Sequence, residues 1–406
     1  MDGMATLEGD DEKSPARASR LRPILARFRR VTSTGVFVPE IDGLRCLAIG
    51  LVVLGHFHPP IHYESGHGAL LNAIQSAVDQ GFVGVQIFFA ISGFILGLPF
   101  AKQHFRIGKA VSLKTYFVRR LTRLEPPYLI HWALVVPTYV LMSHPLQDIV
   151  PSLLGGLTYT YGLVMGKPNP VNQVTWSLEV EVQFYVMAPL LTYVFLIRPK
   201  SVRRALLVVA IAIPSVLQAA FGPPSFRLAS SLPGQIQYFL VGFLVADFYL
   251  VSWPERSPQL WRRYAWDLAA ALALAGLLLT LNLILFSPVV VPTLIFIILA
   301  AAFRGCLANV LSRNIVVVTI GGMCYTIYLY HKRVESLLNR ILIHTSLYDP
   351  TSLTHWFVWM VVNLIIILAV CAVLFVLFEK PFMYREWPQR VRAFMNSRLS
   401  RAEASK

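Results

Sequence analysis

Apolar residues fill this chain in long runs, and the connections between the runs are short and rich in Arg, Lys, Pro and Gly. Runs near or above the roughly 18 residues that cross a bilayer as a helix recur from residue 40 to residue 380, which leaves no soluble domain of useful size. The pattern predicts an all-α fold: a polytopic membrane helix bundle of about ten spans, near 40–58, 78–100, 124–143, 174–196, 205–221, 232–252, 265–286, 288–304, 315–333 and 354–379. Several spans are short for a bilayer or broken by Pro, and only Phe286-Ser287-Pro288 separates the seventh from the eighth, which reads as a tight hairpin. Residues 1–36 mix acids, Pro, Ser and Arg and are expected to form a cytosolic basic tail; no small-residue cleavage site follows a short apolar core, so a cleaved signal peptide is not expected. The membrane domain is placed at 37–381 and a second basic tail at 382–406.

Composition agrees, with 56% hydrophobic and 14% charged residues. Cys46, Cys306, Cys324 and Cys371 fall inside or at the ends of predicted helices, so neither a disulfide framework nor a metal site is expected. The net charge of +15 invites a nucleic-acid reading until it is mapped. Thirty of the 36 Lys and Arg fall on one set of connections, Lys167, Arg227, Lys332, Arg333 and Arg340 on the other, and Arg45 inside a helix. That asymmetry puts both termini in the cytosol of a plasma-membrane protein and makes the basicity an orientation signal that anionic lipid satisfies, with no nucleic acid.

The chemistry begins in the first run, from Asp42-Gly43-Leu44-Arg45 to Leu54-Gly55-His56. Eleven residues from Arg45 to His56 make about three turns, so both project from one face roughly 16 Å apart. A snorkelling arginine and an interfacial histidine would explain the pair; a functional pair inside the membrane would equally, and both readings stand on this segment alone. In the second run Gly84, Ser92 and Gly93 suit close helix approach, and Gln86 needs a polar partner in the bundle. Arg119-Arg120-Leu121-Thr122-Arg123-Leu124-Glu125-Pro126-Pro127-Tyr128 then sets three guanidiniums ahead of a proline-started helix, with Arg119 and Arg123 on one face. The cluster is either a topology determinant or a phosphate site at the positive end of a helix dipole, and the rigid Leu-Glu-Pro-Pro-Tyr approach favours the second.

A polar outer loop is expected at about 144–173, with Tyr159, Tyr161, Asn169 and Asn172. The fourth helix opens Trp176-Ser177-Leu178-Glu179-Val180-Glu181-Val182-Gln183-Phe184-Tyr185. Ser177, Glu181 and Tyr185 form a stripe spaced by four, with Glu179 about 200° round from Glu181. Glu181 is chosen as the bundle-facing carboxylate, because Glu179 lies nearer the outer end and can reach water. The ninth helix ends Tyr325-Thr326-Ile327-Tyr328-Leu329-Tyr330-His331, and parity puts His331 at the level of His56 and Glu181. Glu379, at the inner end of the tenth, reads as an interfacial anchor or the partner of an inner arginine.

Five of these stretches together resemble the acyltransferase family 3 membrane proteins, over residues 40 to 381. They are Arg45 with His56, Phe88 to Gly93, Arg119 to Tyr128, Trp176 to Tyr185, and Tyr325 to His331. The departures are Cys46 where Gly is usual, Glu125 in place of an aromatic and Cys324 in place of Ser. No hydrolase-like domain is expected after the bundle, so an acceptor would be handled by the bundle itself.

The resemblance implies transfer of an acyl group, most simply acetyl, from cytosolic acyl-CoA to a hydroxyl of an extracytoplasmic glycan or lipid-linked glycan. Acyl-CoA is a co-substrate, and no bound cofactor is expected. The phosphates would rest on Arg119, Arg120 and Arg123, with the pantetheine arm running past Arg45 to His56. His56 would be general base, oriented by Glu181, or else a transient acyl carrier. His331, with Trp176 and Tyr185, would line the acceptor side, His331 binding the acceptor or stabilising oxyanion charge. A transporter or exporter of a glycan or lipid precursor is the alternative; it predicts internal repeats, and none is visible.

Overall fold

The computed structural model describes residues 27–31, 37–58, 69–141, 145–222, 224–253, 259–280, 287–343, 352–384, 386, 387 and 389. The tails at 1–26 and 390–406, and the 281–286 part of the expected hairpin, lie outside these. Every regular element among the described residues is helical. In chain order they are α1 (Pro39–Gly55), α2 (Ala69–Asp79), α3 (Val83–His104), α4 (Leu113–Leu141), α5 (Leu146–Leu157), α6 (Tyr161–Met165), α7 (Trp176–Leu191), α8 (Lys200–Phe221), α9 (Phe226–Ala229) and α10 (Leu232–Val251). They continue with α11 (Leu260–Thr280), α12 (Ser287–Arg304), α13 (Leu307–Ser312), α14 (Ile315–Gly322), α15 (Cys324–Ile343) and α16 (Leu353–Leu374).

Among the described residues, five helical stretches are long and apolar enough to cross a membrane: Ile74–His104, Gln173–Leu196, Lys200–Phe221, Phe226–Val251 and Leu353–Met383, with Pro288–Arg304 as a shorter apolar one. The chain is thus an all-α, multi-pass membrane protein. Helices also occupy the described parts of the other expected spans, but α1 is shorter, α4 and α11 carry more charge, and the ninth span is broken. α8 turns Val202, Leu206, Val209, Ile213 and Val216 outward, half or nearly half exposed, as a helix does where lipid is the solvent.

α3 is the axis of the bundle. At its start Gly81 lies against Gly55, and further along Gly93 lies against the backbone of Phe239 in α10; a side chain at either glycine would collide with main-chain atoms. Ser92 is different from its glycine neighbours, because its hydroxyl serves a carboxylate described below. Gln86, with its amide nitrogen turned inward, donates to Phe82 and Val83 carbonyls at 2.9 and 3.1 Å, so its partners are local.

Three elements depart from the sequence expectation. α4 runs unbroken through Pro126 and Pro127, so Arg119, Arg120 and Arg123 lie within a helix and the dipole's positive end is at Leu113, well before them. Pro126 has no N–H for the Thr122 carbonyl four residues back, and the indole N–H of Trp387 takes that place at 3.0 Å. The expected single helix at 315–333 breaks at Met323, where Gly321 packs directly on the Asp42 backbone, and α15 then continues to Ile343. The expected polar loop at 144–173 is folded as α5 and α6, with Tyr161, Asn169 and Asn172 buried. Asn169 satisfies its own polarity by donating to the Ser152 carbonyl at 2.8 Å and accepting from Val171 N–H at 3.0 Å.

Candidate active site

α1 fixes two ends of the site. His56 forms the C-cap, and its Nδ1–H donates to the Val52 carbonyl one turn back at 2.8 Å. That bond selects the tautomer whose Nε2 holds a lone pair. His331, fully buried on α15, is held likewise: Nδ1 lies 2.9 Å from both the Ile327 and Tyr328 carbonyls, and Nε2 has no hydrogen-bond partner. The two rings stand 5.0 Å apart at 73°, with Phe82 edge-on to His56 at 4.8 Å. Two imidazoles with free Nε2 lone pairs can accept a hydroxyl proton; in the neutral form neither offers an N–H to an oxyanion.

The elements around this histidine end are tied by side-chain bonds. The Tyr328 ring lies 6.0 Å from His331, and its hydroxyl meets Ser177 at the start of α7 and donates to the Val174 carbonyl at 2.9 Å. Asn172 donates to His131 Nε2 at 2.8 Å and to the Leu329 carbonyl at 3.3 Å, which joins α4 to α15. His131 escapes the sequence reading, which places Asn172 only in the polar outer loop. The available signal was a second histidine within the third apolar run and an asparagine just ahead of the tryptophan motif. Trp176 packs edge-on between Phe89 and Phe226, at 6.4 and 6.5 Å.

One turn beyond Ser177, a cavity of about 240 Å³ opens between α4, α7 and α15, lined by Arg120, Glu125, Tyr159, Glu181, Tyr185 and Tyr325 among others. Glu181 accepts from Ser92 at 2.7 Å. The Arg120 guanidinium stacks 3.6 Å from the Tyr116 ring and 5.8 Å from that of Tyr185, and donates to the Tyr116 carbonyl at 2.8 Å. Tyr159 donates to Glu125 at 3.0 Å and stacks on Tyr128 at 4.9 Å, from a left-handed backbone at φ 55° that tyrosine adopts only under constraint. The aromatic expected at position 125 is therefore replaced by a carboxylate that holds this tyrosine.

At the opposite end of α1, Arg45 and Arg30 both bond one oxygen of Asp42, at 2.5 and 3.0 Å. Arg123 lies within electrostatic reach of Arg30, Asp42 and Glu379. Glu379 accepts from the Thr326 N–H at 3.1 Å and hydroxyl at 2.5 Å, capping the start of α15 beside the helix break.

The structure thus groups His56 with His331, Arg120 with Glu181 and Tyr185, and Arg45 with Arg123. It leaves Arg119 exposed, and among the described residues no hydrogen bond joins Glu181 to His56. Glu179 does not reach water: it is buried, and its carboxylate accepts from Gly162 N–H at 2.9 Å at the start of α6. Asp42, Glu379 and Arg30 complete the basic end, and none of the three was expected to be a donor-site residue.

The chain belongs to the acyltransferase 3 family, whose model, described as an acyltransferase domain, matches residues 38–376. The peptidoglycan O-acetyltransferase OatA of Listeria monocytogenes serovar 1/2a is 26% identical over 404 residues, covering 89% of this chain and 57% of that protein. A provisionally named O-acetyltransferase of Staphylococcus aureus strain COL is 23% identical, over 75% of this chain and 51% of its own length. The chain therefore spans little more than half the length of these curated relatives. No solved structure matches it.

Proposed function

We propose that this protein is an integral membrane O-acyltransferase that moves an acyl group, most simply acetyl, from acyl-CoA on the cytosolic side to a hydroxyl of an extracytoplasmic glycan. One observation carries the reading: two imidazoles with accepting Nε2 atoms stand at one end of α1, and a guanidinium cluster stands at the other. The 16 Å or so along α1 between Arg45 and His56 suits an extended pantetheine arm with its phosphates on the arginines. The acetylated glycan in the OatA relative's name, peptidoglycan, supports a surface glycan as acceptor.

His56 Nε2 takes the proton of the acceptor hydroxyl as its oxygen attacks the thioester carbonyl; the C–S bond breaks, and the departing thiolate recovers the proton from the imidazolium. His331, lacking an N–H toward the site in its neutral form, serves a neighbouring hydroxyl of the acceptor as hydrogen-bond acceptor and not as an oxyanion donor. Glu181 organises Ser92, Tyr185 and Arg120 along the donor path in place of orienting His56. Direct transfer follows, since donor and acceptor reach His56 from opposite ends. Mass spectrometry of surface glycans from cells with and without the protein tests the reading: a hydroxyl-linked acyl ester found only with the protein is expected, and identical glycans would overturn it.

A further inference from the structure

The basic end carries more positive charge than its own carboxylates neutralise. Arg30, Arg45 and Arg123 face Asp42 and Glu379. Asp42 is 3% exposed and accepts both Arg30 and Arg45 on the same oxygen. Arg30 places Nη1 on that oxygen, while its Nε is buried with no hydrogen-bond partner. A half-buried guanidinium with an unused buried N–H, beside two others and with one charge in excess, is the arrangement that donates a forked bond to a phosphoryl anion.

Arg30 does not come from the bundle. It stands on the short segment 27–31 ahead of α1, and that segment is fixed in place. Phe28 and Val31 pack against the core, the Arg30 stem lies over Gly322 at the helix break, and Lys380 donates to the Arg27 carbonyl at 2.5 Å. A tail serving only as a topology anchor would have no need to place a guanidinium inside the cluster. Thr326, in the first turn of α15 after the helix break, donates its N–H to Glu379, so the cluster also sits against the positive end of α15.

We infer that Arg30 is a donor-binding residue: with Arg45 and Arg123 it forms a seat for the phosphoryl groups of the acyl donor, and the N-terminal segment is part of that site. The inference rests on the acyl-CoA reading above for the identity of the anion. Asp42 then acts as the resident counter-charge that keeps two guanidiniums in position until the phosphates arrive.

The test uses the full chain in phosphatidylcholine nanodiscs, with and without phosphatidylglycerol, and CoA and inorganic pyrophosphate as probes in calorimetric titrations. Arg30→Gln should weaken CoA binding by about 10- to 100-fold, with Arg30→Lys intermediate because it keeps the charge and loses the fork. Lys109→Gln, an exposed charge in the connection after α3, should change it by less than about twofold. In acyl-transfer kinetics the Arg30→Lys loss should appear as a raised donor KM. CoA affinity equal in wild type and both Arg30 variants overturns the inference and leaves the acyl-CoA reading standing. An Arg30 effect seen only on phosphatidylglycerol, with CoA affinity unchanged, makes the cluster a lipid-headgroup seat and also overturns it. Wild type that binds pyrophosphate through Arg30 but not CoA supports the anion site and removes the donor assignment; wild type that binds neither removes both.

Discussion

The two histidines should behave as one unit, and a double-mutant cycle measures this. His56→Gln keeps a side chain able to donate to the Val52 carbonyl, now at 2.8 Å from Nδ1, but cannot take a proton near neutral pH. Loss of a general base lowers turnover by about 10²–10⁴-fold, which is about 3–5 kcal/mol of transition-state stabilisation. His331→Leu removes one neutral hydrogen-bond acceptor from a neighbouring hydroxyl of the bound acceptor, worth about 0.5–1.5 kcal/mol, or about 2- to 12-fold in kcat/KM for the acceptor. Because the rings are 5.0 Å apart and hold one acceptor molecule, the second loss should vanish once His56 no longer draws the reacting hydroxyl into line. The double variant should match His56→Gln within about twofold. The assay is ester formation on a soluble glycan fragment at varied acceptor, with donor saturating and circular dichroism reporting the helical fold. Penalties that multiply in the double variant would refute the shared-acceptor geometry, and a His331→Leu loss as large as that of His56→Gln would reverse the two roles.

Other expectations follow from the burial and partners of single charges. Arg119→Gln, on the exposed face of α4, should leave the donor KM within about twofold, whereas Arg123→Gln should raise it at least about tenfold; kinetics at varied acyl-CoA separate them, and equal effects would contradict the placement. Glu179→Ala should lower thermal stability in detergent by about 1–3 kcal/mol through the lost bond to Gly162, with residual activity following the folded fraction; an inactive but fully stable variant would make Glu179 chemical. Asp247, fully buried, bonds both Arg203 and Arg204 between α8 and α10. Asp247→Asn should therefore destabilise the bundle by about 3–5 kcal/mol, read as a lower unfolding midpoint, and no shift would mean that water already compensates the pair.

Much of this site was visible in the chain because helical spacing is local. Eleven residues on one helix set Arg45 and His56 at opposite ends, and the alternation of apolar runs brought His331 to the end where His56 lies. The 200° between Glu179 and Glu181 told that the two carboxylates differ, and not what each would meet. The backbone N–H of Gly162, which claims Glu179, belongs to a segment that reads as an open loop. α4 passes through two prolines because Trp387, 265 positions after Thr122, fills the vacated carbonyl, a compensation no local pattern contains. In the sequence Asp42 opens the first run with no role assigned, and Arg30 is one more charge of the basic tail; only tertiary packing shows one oxygen holding two guanidiniums.

The central claim is that an acyl group crosses from the basic end to the histidine end at His56. Its most direct test is purified protein in vesicles, with acetyl-radiolabelled acetyl-CoA on the side of the Arg45 cluster and glycan fragments on the side of His56. Labelled ester should form on the glycan with wild type, and fall by at least about 100-fold with His56→Gln while donor binding is retained. Label on the glycan at an unchanged rate in the variant would contradict the account.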